Sequence, residues 1–147
     1  MKRAALLLVL LLPAPALADG ASFEMRVVVP CGGGDTQHLA PDGEQLCFAP
    51  DVIADRSNLK RVGKKGGPYG PVLDFQLDAA GTGRLKAVTT AMIPTESRIA
   101  ILYDGKVMSA PHIMGPIADG SGEIAGLDPD ALKAAVDDLS ADMKARK

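Results

Sequence analysis

Alternation of apolar and polar residues predicts three strands in the first half of the chain. Phe23 to Val29 alternates and then becomes apolar before a proline, and Gln45 to Phe48 forms a second short apolar run; both are typical of strands. In Pro71 to Leu77, every second residue is apolar, which indicates a half-buried strand with Leu73, Phe75 and Leu77 on one face. Between these strands, Asp51 to Leu59 is expected as a helical turn capped by Asp51, and Arg61 to Gly70 as a glycine-rich basic loop.

Two helices are predicted from their caps and apolar stripes. Asp78 is the natural N-cap of a helix from Ala79 to Met92, whose stripe comprises Ala80, Leu85, Val88 and Met92. Gly81 and Gly83 weaken its first turns, each by up to about 1 kcal/mol relative to alanine. Asp128 caps the last helix and Pro129 occupies its first position. The apolar face of this helix consists of Leu132, Ala135, Val136, Leu139 and Met143.

A β-hairpin lies between the two helices. The apolar run Ile99 to Tyr103 is followed by Asp104-Gly105 and by a returning strand through Lys106, Val107 and Met108, and Asp-Gly is a strong signal for a type I′ turn. The chain is then irregular until a last short strand, expected from Glu123 to Leu127. Together these elements predict a single small α+β domain, mainly an antiparallel sheet with two main helices packed on one face.

The first eighteen residues have the pattern of a secretory signal peptide. Lys2 and Arg3 precede an apolar run from Ala4 to Leu12, and the small-x-small pattern ending at Ala18 predicts cleavage before Asp19. That run is far shorter than the roughly 20 apolar residues that span a bilayer. We therefore expect a leader at residues 1–18 and a soluble, periplasmic domain at residues 19–147, without stable membrane insertion.

Charge and cysteine content narrow the possible partners. Without Lys2 and Arg3, fourteen basic residues face eighteen acidic ones, which argues against nucleic acid as a partner. Two cysteines in an exported chain favour a structural disulfide between Cys31 and Cys47. A metal site could be formed by these cysteines with Asp35 and His38, but the spacing of the four residues along the chain matches no zinc-binding pattern. Neither a metal nor another cofactor is expected.

The hairpin carries a motif that resembles a known family. The motif has the pattern D-G-x-V-x-S-A-P and is formed by Asp104, Gly105, Val107, Ser109, Ala110 and Pro111. It is followed by a closing I-x-G at Ile124 to Gly126. This pattern is similar to the periplasmic P1 head of SecD, a subunit of the bacterial Sec protein-export machinery. Arg98 to Ile101 and Pro71 to Asp78 also match the family pattern, whereas Cys31, Cys47 and the triple glycine between them depart from it.

The resemblance implies a domain that meets translocating polypeptide in the periplasm. The sequence after the leader contains no second apolar stretch of membrane length. A stand-alone copy is therefore expected to bind or hold polypeptide without using a proton gradient. The expected partners are a polypeptide or an envelope protein, including chains in Sec translocation. The leading hypothesis is thus a non-catalytic, SecD-head-like domain. The alternatives are a structural or regulatory envelope module without a client, and a small hydrolase.

Three groups of residues are candidates for function. An apolar patch around the Ser109-Ala110-Pro111 turn is a candidate polypeptide contact, formed by Met108, Ile113, Met114 and Ile117. Ser109 and His112 could form a hydrolytic pair with Asp104 or Asp119, although no G-x-S-x-G motif accompanies them. The basic run could contact anionic lipid head groups or an acidic partner, or be a solvated loop; it comprises Lys60, Arg61, Lys64 and Lys65.

Overall fold

The computed structural model describes residues 22–95 and 97–147, and the predicted leader lies outside them. The described residues form eight strands, which are β1 (Phe23–Val29), β2 (His38–Leu39), β3 (Gln45–Asp55), β4 (Leu59–Gly67), β5 (Gly70–Leu77), β6 (Ile99–Tyr103), β7 (Lys106–Ser109) and β8 (Ser121–Ile124). Two helices accompany them, α1 (Ala79–Met92) and α2 (Pro129–Ala145). Short 3₁₀ turns span Arg56–Asn58 and Ile93–Thr95.

The strands form two antiparallel sheets. The larger sheet has the order β2-β3-β1-β6-β7 and the smaller has the order β4-β5-β8. The chain passes from one sheet to the other through the Arg56–Asn58 turn, which joins β3 to β4. The predicted α+β class with antiparallel pairing and two main helices is therefore confirmed, and the strands are divided between two sheets instead of one.

The main core lies where the two sheets and the helices meet. Helix α1 packs against β3 and β5, and α2 packs against β4 and β5. Phe23 of β1 and Phe75 of β5 meet edge to face with their ring centroids 5.5 Å apart, an arrangement that aromatic pairs favour. Both rings are almost completely buried, so β5 links the smaller sheet to the centre of the larger one.

A second apolar cluster lies on the other face of the larger sheet. It contains Ala100 and Leu102 of β6 and Val107 of β7, together with Ala40 and Leu46. The segment at residues 30–44, which includes β2, supplies Ala40, and a disulfide between Cys31 and Cys47 ties the start of this segment to β3. The predicted disulfide is confirmed, and it fixes the segment that covers this second cluster.

The helical turn predicted from Asp51 is wrong, because β3 continues to Asp55. Ala54 pairs with Met25 of β1, and Ile53 and Ala54 are buried in the main core. The cap lies four residues later than predicted: the Asp55 carboxylate accepts a hydrogen bond from the Ser57 amide at 2.8 Å. Pairing with β1 and burial therefore outweigh the local tendency of this segment to turn.

The prediction of a basic glycine-rich loop from Arg61 to Gly70 is also wrong, because residues 59–67 form strand β4. Pairing with β5 runs from Leu59 opposite Leu77 to Gly67 opposite Gly70, with one irregularity between Leu59 and Arg61. Gly63 lies close to the opposite strand, and a Cβ there would lie 3.1 Å from the Asp74 carboxylate. The glycines of this segment are thus part of a two-stranded antiparallel ribbon, and its lysines are exposed strand residues.

Both predicted helices and the hairpin are confirmed at their predicted caps and turn. The Asp78 carboxylate accepts from the Gly81 amide at 2.7 Å, and the Asp128 carboxylate accepts from the Asp130 amide at 2.8 Å. Along α1, however, Gly81 is buried where Ala80, the predicted stripe residue, is exposed.

The hairpin and the last strand show how local backbone geometry sets the strand ends. Asp104 and Gly105 both have positive φ, at 50° and 71°, as a type I′ turn requires. Strand β8 is Ser121–Ile124 instead of the predicted Glu123 to Leu127. Pairing with β5 ends at Ile124, and Gly126 turns the chain away at φ +77°.

Candidate functional site

An apolar cleft opens between the two sheets beneath the segment that follows the hairpin. Its volume is about 160 Å³, comparable to an apolar cavity that holds one benzene ring. Its floor is formed by core side chains of β1, β5, β6 and α1, namely Met25, Phe75, Leu85, Ile99 and Ile101. Its rim is formed by Pro111, Ile113, Ile117 and the β8 residues Ser121, Gly122 and Glu123. The lining is therefore almost entirely hydrocarbon.

Gly122 gives the cleft its shape. It pairs with Phe75 across the β5–β8 ladder, and a Cβ at this position would lie 2.6 Å from Phe75 Cε1. Only a residue without a side chain allows the buried Phe75 ring to lie against β8. The Phe75 ring is thus held at the floor of the cleft, directly against β8.

The segment over the cleft is attached at both of its ends. The Ile113 amide donates to the Ser97 carbonyl at 2.9 Å, and the Ile117 amide donates to the Thr89 hydroxyl at 2.9 Å. Further along, the Gln76 amide group donates to the Asp119 carbonyl at 2.5 Å. This gives the rim a defined position relative to α1 and β5.

The predicted contact residues divide into buried and exposed members. Ile113 is buried and lines the cleft, whereas Met114 is 80 % exposed. Ile117 is half-buried at the rim. Met108 also packs against the main core, but it lines a second, shallow cavity of about 300 Å³ beside β7. The structure therefore brings Ile113 and Ile117 together at one site and places Met108 at another.

The Ser109-Ala110-Pro111 part of the motif forms a wall between these two cavities. Pro111 lines both of them, while Ser109 and Ala110 line only the shallow one. Arg98 secures this wall, because its Nε donates to the Ala110 carbonyl at 2.8 Å and its Nη1 donates to Glu44 at 2.6 Å. The rest of the motif is structural: Asp104 and Gly105 form the turn, and Val107 is buried in the second cluster.

The candidate hydrolytic residues are not joined into a catalytic arrangement. Within residues 22–95 and 97–147, no hydrogen bond links Ser109 to His112, and such a link between nucleophile and base is what a catalytic pair requires. The His112 side chain is exposed, and the His112 backbone forms an isolated antiparallel β-bridge with Arg98. Asp119 instead binds Ser121, whose hydroxyl and amide hydrogen bonds lower the pKa of the Asp119 carboxyl.

The candidate metal ligands have other partners. The Asp35 carboxylate accepts from the Gly32 amide at 2.6 Å, and the His38 ring lies 4.7 Å from the Phe48 ring. Both cysteines are consumed by the disulfide. Among the described residues there is no group of three or more possible ligands that could hold a metal ion.

Sequence reasoning missed the floor of the cleft. Met25, Phe75 and Ile101 carry the same pattern as any buried strand residue, so no local signal separates a cleft wall from a filled core. Gly122 gave no separate hint, because the predicted last strand began at Glu123 and left this glycine in the preceding irregular segment. The described helices include none that is long and apolar enough to cross a membrane.

The fold and the cleft define a small α+β domain that offers an apolar, side-chain-sized opening between two antiparallel sheets. Residues 35–144 match the SecDF P1 head subdomain. The chain therefore belongs to the SecDF P1 head family.

Curated relatives and solved structures agree with this assignment. The chain is 45% identical over 56 residues to the protein translocase subunit SecD of Treponema pallidum (strain Nichols), covering 38% of this chain and 9% of that protein. It is 33% identical over 89 residues to SecD of Acetobacter pasteurianus, covering 60% of this chain and 15% of that protein. The chain thus spans a small part of these relatives.

Two solved structures share the fold at low sequence identity. One is of SecDF, a membrane component that enhances protein export, with a TM-score of 0.61 at 20% identity over 84% of this chain and 70% of that chain. The other is SecDF in a super-membrane-facing form, with a TM-score of 0.60 at 21% identity over 79% of this chain and 18% of that chain.

Proposed function

We propose that this protein is a periplasmic, non-catalytic P1 head-like domain that binds unfolded polypeptide during protein export. In this proposal residues 1–18 are a cleaved leader, and the apolar cleft accepts one apolar side chain of an extended client. Family membership supports the connection with export, because the relatives are translocase subunits. The observation that carries the binding proposal is the cleft of about 160 Å³ with its hydrocarbon lining.

The rim supports an extended client more than a folded one. Met114 stands 80 % exposed directly beside the buried, cleft-lining Ile113, so a passing chain meets an adaptable apolar side chain before the opening. The cleft accommodates one side chain, which suits a client whose side chains are presented singly. Burial of one large apolar side chain contributes about 1.5–3 kcal/mol, which corresponds to roughly a tenfold to hundredfold gain in affinity.

The cleft is a better candidate than the edge of β7. Strand β7 ends the larger sheet and could in principle accept an added strand. The turn at Ala40 to Asp42, however, faces Met108 to Pro111 across the shallow cavity, and Ala40 packs in the same apolar cluster as Val107. Strand addition there would require displacement of a turn that covers buried surface.

The test places a charge at the rim and measures binding of unfolded polypeptide. Ile117→Glu puts a carboxylate at the cleft, and Ile93→Glu is the matched control, because Ile93 is an exposed isoleucine that does not line the cleft. Fluorescence anisotropy with a labelled, permanently unfolded chain is expected to show at least tenfold weaker binding for Ile117→Glu only. Thermal unfolding checks that both variants fold.

A second measurement separates a specific cleft from general stickiness. The same unfolded chain with its leucines replaced by serine is expected to bind at least tenfold more weakly to the unaltered protein. Equal affinity of Ile117→Glu and Ile93→Glu, or no binding of any unfolded chain, contradicts the proposal. The latter result favours a structural or regulatory envelope module without a client.

A further inference from the structure

The β4–β5 hairpin ends in an uncharged tip that carries a fully exposed aromatic ring. Gly67 pairs with Gly70 across the turn, and Tyr69 within the turn is 100 % exposed. From Gly66 to Val72 the sequence contains no charged residue. An aromatic ring without a packing partner on a protruding turn is a candidate contact surface, since its apolar body gains from burial while its hydroxyl stays hydrated.

Positive charge is concentrated behind this tip. Between Lys60 and Gln76 the chain has four basic residues and one acidic residue, Asp74, whereas its overall formal charge is −2. The remainder of the chain therefore carries −5. Such polarisation directs one end of a molecule toward an anionic surface.

Part of this positive charge is available for a partner. Arg61 forms an ion pair with Asp74, and Lys65 forms one with Glu123. Lys60 and Lys64 are exposed and form no ion pair with any residue that the structure describes. Two cations at the hairpin are thus not neutralised by the protein itself.

The lysines lie on both sides of the ribbon at a useful distance from the tip. Consecutive strand residues point to opposite faces, so the side chains of Lys64 and Lys65 flank the hairpin. Lys64 is four residues before Pro68, or about 13 Å along the strand, whereas Lys60 is about 26 Å from it. Flexible lysine stems can keep their ammonium groups at a charged boundary while the tip goes slightly deeper.

We propose that the β4–β5 hairpin docks peripherally on an anionic lipid surface, with Tyr69 in the head-group region and Lys64 near lipid phosphates. Tyrosine and lysine are the residues that commonly anchor proteins at this boundary. A protein partner would need about 800 Å² of complementary surface, which a narrow two-stranded tip does not supply. A lipid surface requires no matching shape.

The experiment measures partition of the purified protein onto vesicles. All variants carry the same N-terminus, checked by intact mass, so differences between them report the hairpin. Binding is expected to vesicles with 30% phosphatidylglycerol in phosphatidylcholine, and to be lost on phosphatidylcholine alone or at high salt. Lys64→Gln is expected to lower the partition coefficient about fivefold, and Lys60→Gln, which changes a charge about 26 Å behind the tip, less than twofold. Lys106→Gln, in the hairpin of the other sheet, is the matched control.

A reporter tests whether the tip itself meets the lipid. The chain has no tryptophan, so Tyr69→Trp places a single fluorophore at the tip, and its emission is expected to shift to the blue with anionic vesicles. Leu39→Trp, exposed on the other sheet, is the control and is expected not to shift. Loss of vesicle binding that is equal for Lys64→Gln and Lys106→Gln, or an unshifted Tyr69→Trp emission, overturns the proposal. Tight binding to a soluble acidic protein without binding to anionic vesicles also overturns it.

Discussion

Two glycines in helix α1 are expected to respond in opposite directions to the same substitution. Gly81 and Gly83 are two residues apart, and on helix propensity alone an alanine at either position stabilises a helix by up to about 1 kcal/mol. The surroundings differ. A Cβ on Gly83 meets nothing within 4 Å, whereas a Cβ on Gly81 would lie 3.0 Å from Asn58 Cβ and 3.3 Å from Leu77 Cβ.

The magnitudes follow from these contacts. Gly83→Ala is expected to raise the free energy of unfolding by about 0.5–1 kcal/mol. At Gly81 the obstructing atoms are β-carbons fixed to the backbone, so relief requires that α1 move away from the Arg56–Asn58 turn. Overpacking of this kind costs about 1–3 kcal/mol, which exceeds the propensity gain. Gly81→Ala is therefore expected to lower the free energy of unfolding by about 1–2 kcal/mol.

The assay is urea denaturation followed by circular dichroism, with the free energies compared at equal m-values. The unaltered protein and the double variant are measured in parallel. Because the sites are separated by one residue, the double variant also tests whether the effects add. If Gly81→Ala stabilises the protein as much as Gly83→Ala does, the close approach of α1 to the turn before β4 is refuted.

Two further predictions concern the disulfide and Tyr103. The disulfide joins cysteines sixteen residues apart, and its reduction is expected to lower the free energy of unfolding by about 3 kcal/mol. Calorimetry with and without reductant is expected to show a melting temperature lower by about 10 °C in the reduced protein. An unchanged melting temperature contradicts this prediction. Burial, with the charge and hydrogen bond of Asp138, raises the pKa of Tyr103 from 10.0 to about 12. The neutral Tyr103 side chain therefore contributes its full stabilisation below pH 10, and this stabilisation is lost as the pH rises toward 12. In a Tyr69→Phe background, tyrosinate absorbance is expected to show this pKa and Asp138→Asn to lower it; equal titration of both proteins contradicts the assignment.

Elements whose signals are local could be predicted from the sequence. The caps of both helices and the Asp-Gly turn depend on residues within a few positions of one another, and all are confirmed. The disulfide was predictable for another reason, because an exported chain with two cysteines offers one pairing. The α+β class follows from these elements alone.

Elements determined by distant pairing could not be predicted in this way. Strand β4 contains five glycines and lysines in succession from Gly63 to Gly67, a composition typical of a loop, and it is a strand because β5 pairs with it along its length. Asp138 reads as an exposed helix residue, yet it accepts the Tyr103 hydroxyl at 3.1 Å. Neither partner is visible in a single sequence.

The cleft follows from the same long-range geometry, and the binding proposed for it requires no rearrangement of the sheets. Its floor is part of the main core, so the stability of the fold fixes it. Its rim is attached to α1 through Thr89, which is fully buried and accepts the Ile117 amide while its own hydroxyl donates to the Leu85 carbonyl at 2.7 Å. Between these anchors, Met114 to Pro116 form no backbone hydrogen bond with the rest of the described chain. Under the proposed function, a client side chain therefore enters the cleft between these anchors while both sheets and the buried Ile113 keep their contacts.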